Sequence, residues 1–144
     1  FDGCDSLESI YISDSVTNIE SWAFSDCKSL AAIEIPDSVI SIGDHAFFGC
    51  EALTSVHIPD SVTEIGEEAF YKCKKLQKVT IGSRVVKIGK GAFRSDKKLK
   101  RLIFKGSKVK KIGKKALKGV PRKVKITAPK KSVTKYKKLL NAAK

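Results

Sequence analysis

Methionine is absent from the 144 residues, tryptophan occurs once, histidine twice and proline four times. No run of about 18 apolar residues exists, so no segment is predicted to cross a membrane as a helix. The chain starts at Phe1, with neither an initiating methionine nor a secretory leader to read, and it reads as a fragment or a mature domain. Motifs that carry chemistry are also missing. There is no GxSxG, HExxH, phosphate-binding loop or GxGxxG, and His45 and His57 have no nucleophile at a recognisable spacing. An enzyme is not expected, nor a cofactor. The last scarcity is of charge of one sign. Residues 1–70 hold one base, Lys28, against fourteen acids, and residues 71–144 hold one acid, Asp96, against twenty-eight bases. The halves carry −13 and +27 within a chain total of +14.

What is present is a repeat. Leu7, Leu30, Leu53, Leu76 and Leu99 are 23 residues apart. Val16, Val39, Val62 and Val85 keep the same step, and Val109 follows after 24. Ile19, Ile42, Ile65, Ile88 and Ile112 march with them, as do Ala-Phe pairs ending at Phe24, Phe47, Phe70 and Phe93, closed by Ala116-Leu117. The unit reads LxxIxIPxSVTxIGxxAFxxC.

Within each unit, stretches such as Leu53 to Ile58 alternate apolar and polar residues, the mark of a half-buried strand. Pro36 and Pro59 end that strand because proline has no N–H for a ladder. "SVTEI" is a second extended piece, and Gly43, Gly66, Gly89 and Gly113 mark a corner that favours a residue without Cβ. "EEAFYKC" is long enough for one helical or 3₁₀ turn, with Ala69 and Phe70 pointing inward. A single 23-residue coil cannot bury its own apolar residues, but stacked coils merge their columns into one core. A solenoid is predicted, with strands of successive coils about 4.8 Å apart in a parallel sheet.

This pattern resembles the BspA-like leucine-rich repeats, the Treponema pallidum-type class, over roughly residues 1–126. It departs at Glu20 in the glycine column, at Gly82 and Gly106 in the proline column, and by the extra residue before Val109. The resemblance implies an α/β solenoid of five to six right-handed coils with a parallel β-sheet face. It further implies a bacterial protein, extracellular or at the cell surface, that binds other macromolecules without catalysis.

Phe1 and Cys4 occupy the columns of Phe24 and Cys27, so the sequence starts mid-repeat. The solenoid is assigned to residues 1–129, with Val124 to Pro129 as its last strand, and residues 130–144 to an amphipathic helix. Ser132 is a candidate N-cap, and Val133, Tyr136, Leu139, Leu140 and Ala143 fall near one face. The helix is expected to cap the open end of the core, the alternative being a free basic helix at a membrane.

Cys4, Cys27, Cys50 and Cys73 recur every 23 residues, and Asp96 and Val120 continue their column. Thiols spread over about 15 Å of a rod cannot converge on one metal. Parallel side-chain vectors make the disulfide dihedral awkward, so the column reads as buried reduced thiols, with sequential bridges the alternative.

In a solenoid the apolar columns make the fold, and the variable positions are left for function. Outward positions on the sheet run Tyr11, Glu34, His57, Thr80, Ile103 and Lys125, beside Ser9, Ala32, Ser55, Lys78, Arg101 and Lys123. Tyr11, Glu34, His57, Thr80 and Ile103 are the candidate protein-binding face, and without a ligand they are a solvated sheet. Trp22, Phe48 and Tyr71 are candidate exposed aromatics, suited to an interface or to packing sideways over the next coil. Lys78, Arg101, Lys123 and Lys125 are the candidate polyanion site. Only four of the twenty-eight bases in the second half are arginines, and few exposed aromatics lie among them. That balance fits a diffuse anionic cell-surface polymer better than nucleic acid, which needs arginine forks or stacking platforms. The expected partner is a protein or such a polymer, and a spacer with no ligand remains the third reading.

Overall fold

The structure, a computed structural model, describes residues 1–142. The chain winds as a β-solenoid of about five turns closed by one helix. The coils contribute longer strands and two-residue strands, and the first two coils supply only the short kind. The short ones are β1 (Asn18–Ile19), β2 (Ser41–Ile42), β4 (Glu64–Ile65), β6 (Lys87–Ile88) and β8 (Lys111–Ile112). They form a five-stranded parallel sheet in the order β1-β2-β4-β6-β8. The longer ones are β3 (Ser55–Ile58), β5 (Lys78–Ile81), β7 (Arg101–Phe104) and β9 (Lys125–Thr127), a four-stranded parallel sheet in that order. Ser55 pairs with Lys78 and Lys78 with Arg101, steps of one repeat. The extra residue before Val109 lengthens the last steps, so that Lys87 pairs with Lys111 and Arg101 with Lys125.

The third side of each coil is not the helical or 3₁₀ turn expected of "EEAFYKC" but a run of turns. Two positions per coil take the left-handed conformation: Trp22, His45, Glu68, Gly91 and Lys115 in one column, and Asp26, Gly49, Lys72, Ser95 and Gly119 in the other. These reversals aim the backbone along the rod instead of around a helix axis. The Phe24 N–H then donates to the Ala46 carbonyl at 2.8 Å, Phe47 to Ala69 at 2.7 Å and Phe70 to Ala92 at 2.8 Å. Coil-to-coil bonds thus replace intrahelical ones, and the buried amides stay paired.

The core lies between the three sides. Phe24, Phe47, Phe70 and Phe93 stack with centroids 5.1–5.5 Å apart and planes within 9°. Burying each such ring is worth roughly 1.5–3 kcal/mol. The corner glycines are required by closeness, not by left-handed backbone. A Cβ on Gly66 would lie 2.5 Å from the Gly43 carbonyl carbon and 2.5 Å from the Asp44 nitrogen.

All four cysteines are free. The Cys27, Cys50 and Cys73 thiols donate to the Phe1, Phe24 and Phe47 carbonyls at 3.1, 3.1 and 3.3 Å. Burial pushes the Cys50 thiol up to about 12 and holds Cys73 well above the ordinary thiol range. Asp96 continues the column, fully buried.

At the far end a 3₁₀ turn, Lys130–Ser132, leads into α1 (Val133–Ala142). Ser132 is buried in that turn, which itself starts without a side-chain cap bond. Tyr136 and Leu140 are buried, and Val133 and Leu139 half-buried, so the apolar stripe covers the last coil. Ala143, assigned to the same stripe, lies outside the described residues. The Tyr136 ring sits 4.5 Å from Phe104; its hydroxyl donates to the Gly106 carbonyl at 2.9 Å and accepts from the Val109 N–H at 3.3 Å.

Candidate functional site

The face of the β3-β5-β7-β9 sheet bears His57, Lys78, Thr80, Arg101, Ile103 and Lys125 of the variable residues singled out from sequence. Buried Val56 and Ile58, Val79 and Ile81, and Leu102 and Phe104 alternate with residues on the open side. His57, Thr80 and Ile103 form one row, paired across the sheet. His57 is exposed, while Thr80 and Ile103 are half-buried. The row continues through Thr127, not through Lys125 as expected, because the last coil is one residue longer. Lys125 joins the other row, which runs Ser55, Lys78, Arg101, Lys125, all exposed. Lys123 is exposed in the turn before β9 and belongs to neither row.

Tyr11 and Glu34 keep the outward direction of the row but lie on extended backbone outside the sheet. Tyr11 is 81% exposed. A groove of about 1080 Å³ follows this end of the face, lined by Tyr11, Asp14, Glu34, Asp37 and His57 among others. The face is therefore acidic and open at one end, and cationic and flat at the other.

Trp22, Phe48 and Tyr71 lie on the turn side, where they pack sideways into one cluster. Phe48 meets the Tyr71 ring edge-on at 5.1 Å, and Trp22 lies 6.0 Å from Phe48. The sequence reading missed the fourth ring. His45 is half-buried and stacks on Trp22 at 4.0 Å with planes 1° apart. Its Nε2 lies 3.5 Å from the Glu68 carboxylate, which also takes Arg94 at 3.5 Å. Arg94 and Lys72 sit over Tyr71 at 5.2 and 5.0 Å, within cation–π range. Trp22 alone keeps a large exposed area, 47% of its surface. The signal was present in the sequence, because Trp22 and His45 share one column of the repeat.

Ion pairs follow the same step. Glu51 meets Lys74 at 2.6 Å, Glu64 meets Lys87 at 3.2 Å and Glu67 meets Lys90 at 2.7 Å, each one coil apart. Asp60 accepts a bond from the Ser83 N–H at 2.7 Å, which lowers its carboxyl below the ordinary range. Among the described residues no three metal-ligating side chains converge, and no helix is long and apolar enough to cross a membrane.

The BspA-type leucine-rich repeat region matches residues 1–122 in six copies. A search of the curated proteins found no match. Among solved structures, a leucine-rich cell surface protein from Faecalibacterium prausnitzii is 31% identical with a TM-score of 0.81; the match covers 94% of this chain and 34% of that one. The leucine-rich repeat protein of T. pallidum is 31% identical with a TM-score of 0.73, over 94% of this chain and 72% of that one. One from Bacteroides ovatus is 29% identical with a TM-score of 0.72, over 89% of this chain and 41% of that one. The chain thus spans well under half the length of two of these relatives. Six matched copies over five registered coils leave one conclusion: the chain belongs to the BspA-type leucine-rich repeat family.

Proposed function

We propose that the chain is a non-enzymatic macromolecule-binding module, acting by protein–protein contact or adhesion at a bacterial cell surface. The observation that carries this reading is the open groove beneath exposed Tyr11, flanked by Glu34 and His57. An aromatic on a rigid scaffold beside a groove is the arrangement that interaction hot spots use. A relative described as a leucine-rich cell surface protein supports the location. The family's fold is typically non-catalytic.

A second reading has its own observation. The exposed row Lys78, Arg101 and Lys125 is a line of cations about 4.8 Å apart, spaced to follow an anionic polymer.

Binding of the labelled chain to bacterial cells, before and after protease treatment, separates the two readings. Protein docking predicts loss on protease treatment, loss in Tyr11→Ala, and little change as salt rises from about 50 to 200 mM. Polymer binding predicts resistance to protease, a steep fall with salt and loss in Lys78→Glu/Arg101→Glu. No binding in any arm leaves a structural spacer.

A further inference from the structure

We propose that the acidic end of the sheet face takes up an extended, cationic peptide as an added strand. This rests on the protein-binding reading and specifies the form of the partner.

The ladder fails locally. β3, β5, β7 and β9 are joined by continuous parallel pairing. Residues 9–12 and 32–35 show the same alternation, with Ile12 and Ile35 buried and Tyr11 and Glu34 outward. Yet among the described residues no backbone hydrogen bond joins 9–12 to 32–35, or 32–35 to β3. Residues of the same chemical type thus make a sheet in the later coils and leave it unmade in the first two.

The flanking bonds lengthen in one step where the ladder stops. Just before each of these stretches one backbone bond links neighbouring coils. It measures 2.9 Å from Lys100 N–H to Gln77 and 2.8 Å from Gln77 to Thr54. It then lengthens to 3.3 Å from Thr54 to Ala31 and 3.3 Å from Ala31 to Glu8. On the other two sides the same coils stay close. Asn18 and Ile19 remain paired with Ser41 and Ile42, and the Phe24 N–H reaches Ala46 at 2.8 Å. The first coils are therefore joined on either side of this stretch, by the Ala31–Glu8 bond before it and by the Ser38 hydroxyl donating to the Val16 carbonyl at 2.7 Å after it, and the ladder is unmade between those two points. The groove lies along that stretch.

Extended backbone with free N–H and C=O groups is a template for a further strand, which is how peptides add to sheet edges. The lining decides the peptide's charge. Asp14, Glu34 and Asp37 line the groove and no lysine or arginine does. Opposite charge there steers and orients a cationic segment. Lys78 on β5 repels that segment and sets the limit of the site. Alternate residues of the peptide would face outward past Tyr11 and inward toward Ile10 and Ile33.

The test uses the whole chain and a short peptide alternating lysine with valine, by calorimetry at about physiological ionic strength and by amide hydrogen exchange. Binding is expected to slow exchange at residues 9–12 and 32–35 by about tenfold or more. N-methylation of alternate peptide amides, glutamate in place of peptide lysine, and Glu34→Lys in the protein are each expected to weaken binding about tenfold or more. Equal binding by the N-methylated peptide overturns strand addition, as does protection at 101–104 in place of 32–35. A dimer by sedimentation, with the same amides protected in the absence of peptide, overturns it too, because the occupant is then a second copy. If the peptide fails while protease-sensitive, Tyr11-dependent cell binding persists, strand addition falls and the protein-binding reading stands.

Discussion

Replacing Asp96 with cysteine should stabilise the protein and flatten its response to pH. Asp96 is fully buried in the cysteine column. Its Oδ1 accepts the Cys73 N–H at 3.0 Å, while its buried Oδ2 has no partner. Burial holds the carboxyl well above its ordinary value of 3.8. The folded protein therefore keeps a proton that the unfolded chain releases, and stability falls as pH rises from 3.8 to the folded value. Over that window each pH unit costs roughly 1.4 kcal/mol. The unpaired oxygen adds about 1–3 kcal/mol to the cost at any pH. In Asp96→Cys the new thiol would reach the Phe70 carbonyl as Cys27, Cys50 and Cys73 reach Phe1, Phe24 and Phe47. The Cys73 N–H keeps its bond to Phe70, at 3.4 Å. Urea unfolding of both proteins under reducing conditions between pH 4 and 8 measures the difference. The variant should be more stable throughout, with a gap that widens as pH rises. A gap that is constant with pH, or a less stable variant, refutes a buried, proton-holding Asp96.

Gly66→Ala should lose about 1–3 kcal/mol or more in urea unfolding, because its Cβ is aimed at the backbone of the preceding coil, which cannot give way. Tyr136→Phe should lose about 1–3 kcal/mol, since it strips partners from the Gly106 carbonyl and the Val109 N–H under the helix. Thiol titration with a coloured disulfide reagent should show four reactive groups after unfolding and slow reaction before it, with half-buried Cys4 first; fewer than four refutes the reduced column. Raising sodium chloride from low to physiological strength should raise the urea midpoint, because screening relieves twenty-eight bases crowded into residues 71–144; a falling midpoint refutes net repulsion.

The core was readable because each column repeats one residue type in one step. Leu53, Val62, Ile65 and Phe70 are recognisable as core from their copies alone, and the structure buries all four. The corner glycines were identified correctly by type, though what demands them is the approach of a neighbouring coil. The Lys125 row was misassigned because one inserted residue changes the register of everything after it. The turn side was misread because Ala-Phe pairs point inward equally well from a helical turn and from consecutive left-handed turns. The unpaired stretch at 9–12 and 32–35 leaves only a faint trace in the pattern. Ile10, Ile12, Ile33 and Ile35 match the inward strand formers that pair farther along, and only Ala32 and Glu34, on the open side, are weaker ones.

The sign of the charge also follows columns, and the place where it changes matters more than its total. One column reads Asp44, Glu67, Lys90, Lys114 and another Ser41, Glu64, Lys87, Lys111, so both cross from acid to base between the same two coils. Three ion pairs bridge that boundary, Glu51 with Lys74, Glu64 with Lys87 and Glu67 with Lys90. As exposed pairs they contribute little to stability. Their larger effect is to neutralise the middle of the rod, leaving uncompensated charge toward its two ends. The sheet face inherits this arrangement. Glu34 and Asp37 border the open groove, His57 and Thr80 occupy the neutral centre, and Arg101 and Lys125 hold the far end. A ligand with one cationic and one anionic end, laid along the rows, meets opposite charge at both, and reversing it places like charges together. The gradient therefore distinguishes the two directions of an extended chain on this face, which a uniformly charged repeat array cannot do.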